Sequence, residues 1–201
     1  LQFGYHNKQF AQPGCLDAYQ ASYEHAMEEG YDAIKVNFFC QKPEGGELFH
    51  TETTGCLSRQ VRKRFEERLA LARKICGPDV DIIVENHCMT DYMTAMQTAR
   101  IAEPYDILFL EEALTPTNAD LWKKLASSTS IPLATGERIY SRWGFRPLLE
   151  NGALSVAQPD VGNCGGITEC KKICDMAHVY DVTVQTHTCN SPISVAAALQ
   201  V

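Results

Sequence analysis

Ile82-Ile83-Val84-Glu85, Ile107-Leu108-Phe109-Leu110-Glu111 and Ile131-Pro132-Leu133-Ala134-Thr135-Gly136-Glu137 are three apolar runs that each end in a carboxylate. Short runs rich in β-branched and aromatic residues, set between longer helical patterns, read as buried parallel strands of βα units. Each acid then stands at the carboxyl end of a strand, and 26 positions separate Glu85 from Glu111 and Glu111 from Glu137. In a parallel barrel that face is where active sites are built. Carboxylates gathered there repel one another, and hard divalent cations such as Mg²⁺ take oxygen ligands of this kind. The plainer alternative is three acids that merely cap the following helices or face solvent. The equal spacing favours a shared site, because a repeated strand end places all three around one axis.

Working outward, residues 1 to 6 alternate apolar and polar as a first strand. Leu16, Tyr19, Tyr23, Ala26 and Met27 recur at helical spacing until Gly30. Residues 32 to 39 form the second strand, whose period of two puts Lys35 and Asn37 together on the interior face. Residues 40 to 56 break the rhythm with Pro43, Gly45-Gly46 and several threonines. A polar loop of this length at a strand's carboxyl end is commonly a lid or binding loop, or a surface insertion without a role. Ser58 is placed to cap a helix that Gly77-Pro78 closes, and another helix runs from about Tyr92 to Ala102. Beyond Glu137, a short helix packs through Phe145, Leu148 and Leu149, strand six leads to Asp160, and strand seven presents His187. Gly162 to Gly166 form a glycine-rich turn before a helix at Ile167, suited either to an anion or simply to the turn. Residues 191 to 201 read as the start of a further helix. The count is about seven βα units, the last incomplete, so residues 1–201 are expected to be part of a (β/α)₈ TIM-type barrel.

Composition narrows the function. With 201 residues and 45 % hydrophobic content the chain can bury one sizeable core. A net charge of −7 argues against a nucleic-acid partner, and no stretch approaches the length of a membrane span. The basic cluster from Arg59 to Arg68, interrupted by Glu66 and Glu67, reads as a solvated helix face. Nine cysteines without Cys-x-x-Cys spacing suggest neither a zinc site nor a disulfide framework. Cys170 and Cys174 are expected as buried thiols, and a reducing, cytoplasmic setting is expected. The chain opens without methionine, as a portion of a longer product would.

The segment from Ile131 through Glu137-Arg138 to Gln158-Pro159-Asp160-Val161 and Gly165-Gly166-Ile167-Thr168-Glu169 resembles the barrel domain of the enolase superfamily. Within the mandelate racemase branch it is most similar to sugar-acid dehydratases of the D-galactonate dehydratase type. The resemblance implies a modified barrel, here without the family's amino-terminal capping domain, and one Mg²⁺ per site held by Glu85, Glu111 and Glu137. It implies an Asp160–His187 pair in which His187 removes the proton α to a substrate carboxylate, and His87 as the acid that protonates the departing hydroxyl. His87 lies two residues beyond Glu85 and so, by strand period, on the same face. Racemases and cycloisomerases of the branch carry Lys-x-Lys on strand two, whereas Lys35-Val36-Asn37 stands here. That favours β-elimination, with Lys35 and Asn37 as substrate contacts and Arg138 and Arg142 as further candidates. The implied reaction converts an aldonate to its 2-keto-3-deoxy acid, with a small-molecule sugar acid as partner and a homo-oligomer at full length. Epimerisation, cycloisomerisation or a catalytically inactive barrel fragment are the alternatives.

Overall fold

The structure, a computed structural model, describes residues 2–3, 14–39, 42 and 48–201. Most of the expected first strand, and residues 40–47 of the expected loop apart from Lys42, lie outside the described residues. The chain divides into two compact units, Leu1–Leu114 and Thr115–Val201.

In the first unit the elements are β1 (Gln2–Phe3), α1 (Leu16–Glu28), β2 (Ala33–Val36), α2 (His50–Thr53), α3 (Arg59–Cys76), β3 (Asp81–Glu85), α4 (Tyr92–Ala102) and β4 (Phe109–Glu111). The strands pair in parallel in chain order, with Ile34 opposite Ile82 and Glu85 opposite Glu111. Such pairing requires helical crossovers, and α1, α3 and α4 make them. Ile34, Val36, Ile82, Val84 and Leu110 are fully buried, as expected of strands covered on both faces. Helix α3 begins where expected, with Ser58 Oγ accepting from Val61 N at 3.2 Å, and Gly77 ends it.

The Arg59–Arg68 cluster departs from its reading as a wholly solvated face. Arg68 is fully buried, because it lies seven positions after Val61 and three after Phe65 and so falls on the apolar stripe of α3. Its guanidinium donates to Phe38 O at 2.6 Å and Gly14 O at 2.5 Å and lies 4.5 Å from the Tyr19 ring centroid. One side chain therefore joins α3 to the turn after β2 and to the start of α1.

The second unit comprises α5 (Ala119–Ala126), β5 (Leu133–Thr135), α6 (Ser141–Glu150), β6 (Val156–Ala157), α7 (Val161–Cys164), α8 (Ile167–Val179), β7 (Thr183–Val184) and α9 (Pro192–Ala198). Its strands are again parallel and in chain order, with Ala134 opposite Val156 and Val156 opposite Thr183. Trp122, Phe145, Leu148, Leu149, Cys170 and Ile173 fill its core. Cys170 and Cys174 are buried thiols as expected, and no described cysteine forms a disulfide. The glycine-rich turn is partly helical: residues 161–164 make one turn as α7, and Gly165 and Gly166, at φ 120° and 87°, lead into α8. No helix among the described residues is long and apolar enough to cross a membrane.

Two expectations follow. Arg68→Met leaves two buried carbonyls without their donors and should cost about 3 kcal/mol in urea unfolding, on the scale of lost charge-assisted hydrogen bonds. Asp91 caps α4, accepting from Thr94 N at 3.0 Å and from Gly55 N at 2.6 Å. Burial pushes its carboxyl up, but the N–H donors of Gly55 and Thr94 outweigh this and hold it below the usual carboxylate value. A depressed folded pKa gives stability that is present above the unfolded pKa and lost as pH falls through the folded one. Asp91→Asn keeps the cap oxygen but loses the charge, so the parent's stability advantage over it should be present at neutral pH and shrink on acidification below the ordinary carboxylate range, read by urea unfolding at several pH values.

Candidate active site

Each unit carries a cluster of acids at the carboxyl ends of its strands. In the first unit the register of β3 against β4 sets Glu85 beside Glu111, and each is about 1 % exposed. Their carboxylate oxygens approach within 4.8 Å. Lys35, from β2, reaches both: its Nζ is 2.5 Å from Glu111 Oε1 and 3.4 Å from Glu85 Oε2. Burial pushes the Lys35 ammonium down, but the charges of Glu111 and Glu85 outweigh it and raise its pKa above the usual value. Lys35 thus faces the acids as the strand period predicts.

Asn37 lies one residue past β2 and is fully buried. Its Oδ1 accepts from Phe39 N at 2.9 Å, so at least this oxygen shapes the turn. His87, expected two residues beyond Glu85 along the same strand, lies past the strand's end. The strand ends at Glu85, and His87 and Cys88 adopt φ 51° and 55°, so the chain turns there. His87 N donates back to Glu85 Oε1 at 2.6 Å, and a His87 ring nitrogen comes within 4.8 Å of a Glu112 carboxylate oxygen. Glu112, fully buried at φ 50°, was not singled out by the sequence reading, although the doubled acid Glu111-Glu112 was visible. Beyond residue 47, the expected loop is fastened where Thr53 Oγ1 donates to Met89 O, between β3 and α4, at 2.7 Å, and just past the loop Leu57 N donates to Gln97 Oε1 of α4 at 2.9 Å.

In the second unit Glu137 stands two residues past β5. His187 lies between two carboxylates, with Nδ1 2.7 Å from Asp160 Oδ2 and Nε2 3.0 Å from Glu137 Oε2. Asp160 and His187 also form a parallel backbone bridge, which continues the β6–β7 pairing to the site. Asp160 is fully buried and its Oδ1 accepts from Gly162 N at 2.7 Å and from Asn190 Nδ2 at 3.3 Å. The Asn190 contact had no signal in the sequence. Burial pushes the His187 imidazolium down, but hydrogen bonds to Glu137 and Asp160 outweigh it and raise its pKa. When protonated, the imidazolium can donate from both nitrogens to these two carboxylates. Arg138 pairs with Glu137. Arg142 is instead committed to structure: Nε and Nη2 each meet a Glu169 oxygen at 3.0 Å, tying α6 to α8.

Gly136 sits where the chain leaving β5 passes against the backbone just after β6. A Cβ at Gly136 would lie 2.4 Å from the Gln158 carbonyl carbon and oxygen and 2.7 Å from its nitrogen. The backbones after β5 and β6 touch there, and only glycine permits it.

Parallel strands returned by helices, with buried acids and an Asp–His pair at their carboxyl ends, define a βα-barrel-type domain. The chain belongs to the enolase C-terminal domain-like family, whose model matches residues 18–201. It is 42 % identical over 175 residues to the D-galactonate dehydratase of Variovorax paradoxus, which covers 87 % of this chain and 43 % of that protein. Among solved structures, it resembles an enolase-superfamily member from Salmonella Typhimurium with TM-score 0.89 and 46 % identity, over 98 % of this chain and 50 % of that one. A 3,6-anhydro-D-galactonate cycloisomerase from Zobellia galactanivorans gives TM-score 0.77 and 28 % identity, over 92 % and 47 %. The chain thus spans about half the length of these relatives, and the barrel-type fold expected from the sequence stands.

Gly136→Ala should cost about 1–3 kcal/mol through overpacking. Because that methyl meets backbone rather than a movable side chain, it should also disturb the Glu137–His187 contact, read as a shift of the His187 ring resonances in NMR spectra.

Proposed function

We propose that this chain is the barrel portion of a Mg²⁺-dependent sugar-acid dehydratase, a hydro-lyase that converts an aldonate such as galactonate, gluconate or mannonate to a 2-keto-3-deoxy acid. The observation that carries the reading is His187, held at both ring nitrogens by Asp160 and Glu137. A base that must remove a weakly acidic proton α to a carboxylate needs an oriented imidazole of raised basicity, and the buried Asp160 supplies both. Support comes from the relative named D-galactonate dehydratase.

Glu85, Glu111 and Glu137 are the proposed ligands of one Mg²⁺, and the donor chemistry fits, since all three offer only carboxylate oxygens. A cation bound there supplies the positive charge that offsets negative charge developing on the substrate carboxylate when the α proton leaves. His187, in its neutral form, takes that proton, while Asp160 fixes the ring and stabilises the imidazolium. His87 gives a proton to the departing β-hydroxyl, which leaves as water. Lys35, Asn37 and Arg138 are the proposed substrate contacts, Lys35 through its ammonium and the substrate carboxylate. The segment 40–56 is the proposed loop over this face. Lys35-Val36-Asn37 supplies no second lysine as a base and so favours elimination. A second reading, an epimerisation or cycloisomerisation through the same proton abstraction, draws on the likeness to the Zobellia cycloisomerase. A homo-oligomer at full length and a cytoplasmic setting belong to the same proposal.

Calorimetry should find one Mg²⁺ bound, with binding lost in Glu111→Gln and in Glu137→Gln while both variants keep the parent's circular dichroism. With a panel of aldonates, formation of 2-keto-3-deoxy acid should fall about 1,000-fold in His187→Asn, the scale of losing a general base. Solvent deuterium entering the substrate without loss of water would select the second reading, and a parent that neither binds Mg²⁺ nor exchanges the α proton would overturn both.

A further inference from the structure

His187 and Cys189 are two apart in the segment that follows β7. The bridge between Asp160 and His187 then brings the end of β6 alongside. As a result a carboxylate oxygen of Asp160, a ring nitrogen of His187 and the Cys189 sulfur all lie within 4.8 Å of one another. The three differ in burial in a useful way: Asp160 is fully buried, His187 is partly buried and Cys189 is exposed, so a small ion can reach the group from solvent. Asp160 is in turn held by Gly162 N and Asn190 Nδ2, as carboxylate ligands of metals are commonly held by outer hydrogen bonds.

One oxygen, one imidazole nitrogen and one thiolate sulfur are a donor set that Mg²⁺ does not take, because it is a hard ion that keeps to oxygen. Borderline cations such as Zn²⁺ and Co²⁺ take it readily, and three protein ligands plus an open fourth position is a familiar tetrahedral arrangement. From this geometry we infer that Asp160, His187 and Cys189 form a binding site for a borderline divalent cation of the Zn²⁺ type, separate in its donors from the all-carboxylate set. Binding replaces the His187–Asp160 hydrogen bond with two metal–ligand bonds and releases the thiol and imidazolium protons to solvent. With one ring nitrogen on the metal, the neutral ring carries its single proton on the other, so neither nitrogen can accept a further proton. Under the function proposed above, Zn²⁺ would therefore silence the base; the binding itself does not depend on that reading.

Co²⁺ is the suitable probe, since a thiolate bound to it gives a strong near-ultraviolet charge-transfer band that oxygen ligation does not. The parent chain should show this band at one Co²⁺ per chain, and Zn²⁺ should displace it. Cys189→Ser should abolish the band, whereas Cys56→Ser, which removes another exposed thiol, should leave it intact. Asp160→Asn should keep the band and weaken Zn²⁺ binding by at least about ten-fold, since losing a carboxylate ligand should cost no less than losing an outer hydrogen-bond partner of one. Absence of the band in the parent, its persistence in Cys189→Ser, or unchanged Zn²⁺ affinity in Asp160→Asn would each overturn the site. None of these outcomes depends on Mg²⁺ binding or turnover.

Discussion

Buried negative charge at strand ends is the constraint on which both units depend. Glu85 and Glu111 lie within 4.8 Å of each other and almost out of contact with water. At an effective dielectric of about 20, two such charges repel by at least about 3 kcal/mol, a large share of a domain's net stability. Lys35 offsets that repulsion by reaching both acids from the neighbouring strand. In the second unit His187 and Arg138 do the same for Glu137, and His187 also serves Asp160. Each unit therefore balances its own acids with a cation from an adjacent strand end or turn. Parallel pairing is what makes this possible, because it brings successive strand ends to one edge.

Much of this was legible in the sequence, for identifiable reasons. Apolar runs ending in acids fixed the strand ends, because a buried parallel strand tolerates few polar residues until it emerges. Ser58, Gly30 and Gly77 marked helix limits through local chemistry that needs no tertiary context. The readings that failed each depended on a neighbour distant in sequence. Arg68 looked like one more surface charge among Arg59 to Glu67, yet two carbonyls and the Tyr19 ring give a guanidinium a buried place. Arg142 looked available until Glu169, one helix away, took both ends of its fork. Strand period carried Lys35 within β2 but does not extend to His87, which lies past the end of β3. Asn190 was invisible because its role exists only through Asp160, 30 positions earlier.

The backbone just beyond the strands is itself informative. His87, Cys88 and Glu112 all have φ near +50°, and none is a glycine. Left-handed conformations cost non-glycine residues of order 1 kcal/mol or more each, so the surrounding structure must hold them. The holding is visible: His87 N is bound by Glu85 Oε1, and Cys88 N by Glu112 O at 2.9 Å. Backbone of this kind places side chains where a regular strand could not, and here a His87 ring nitrogen lies within 4.8 Å of a Glu112 carboxylate oxygen.

Gly136 solves the corresponding problem in the second unit by the opposite means. There a missing side chain lets the backbones after β5 and β6 meet, and Glu137 emerges next to His187. A rigid backbone contact defines a carboxylate's position more tightly than a flexible side chain packing against another. That matters for a residue whose two oxygens already serve a histidine and an arginine, because a shift of a few tenths of an ångström would break the geometry of both. The side-chain chemistry at Glu137 thus rests on the residue beside it that has none.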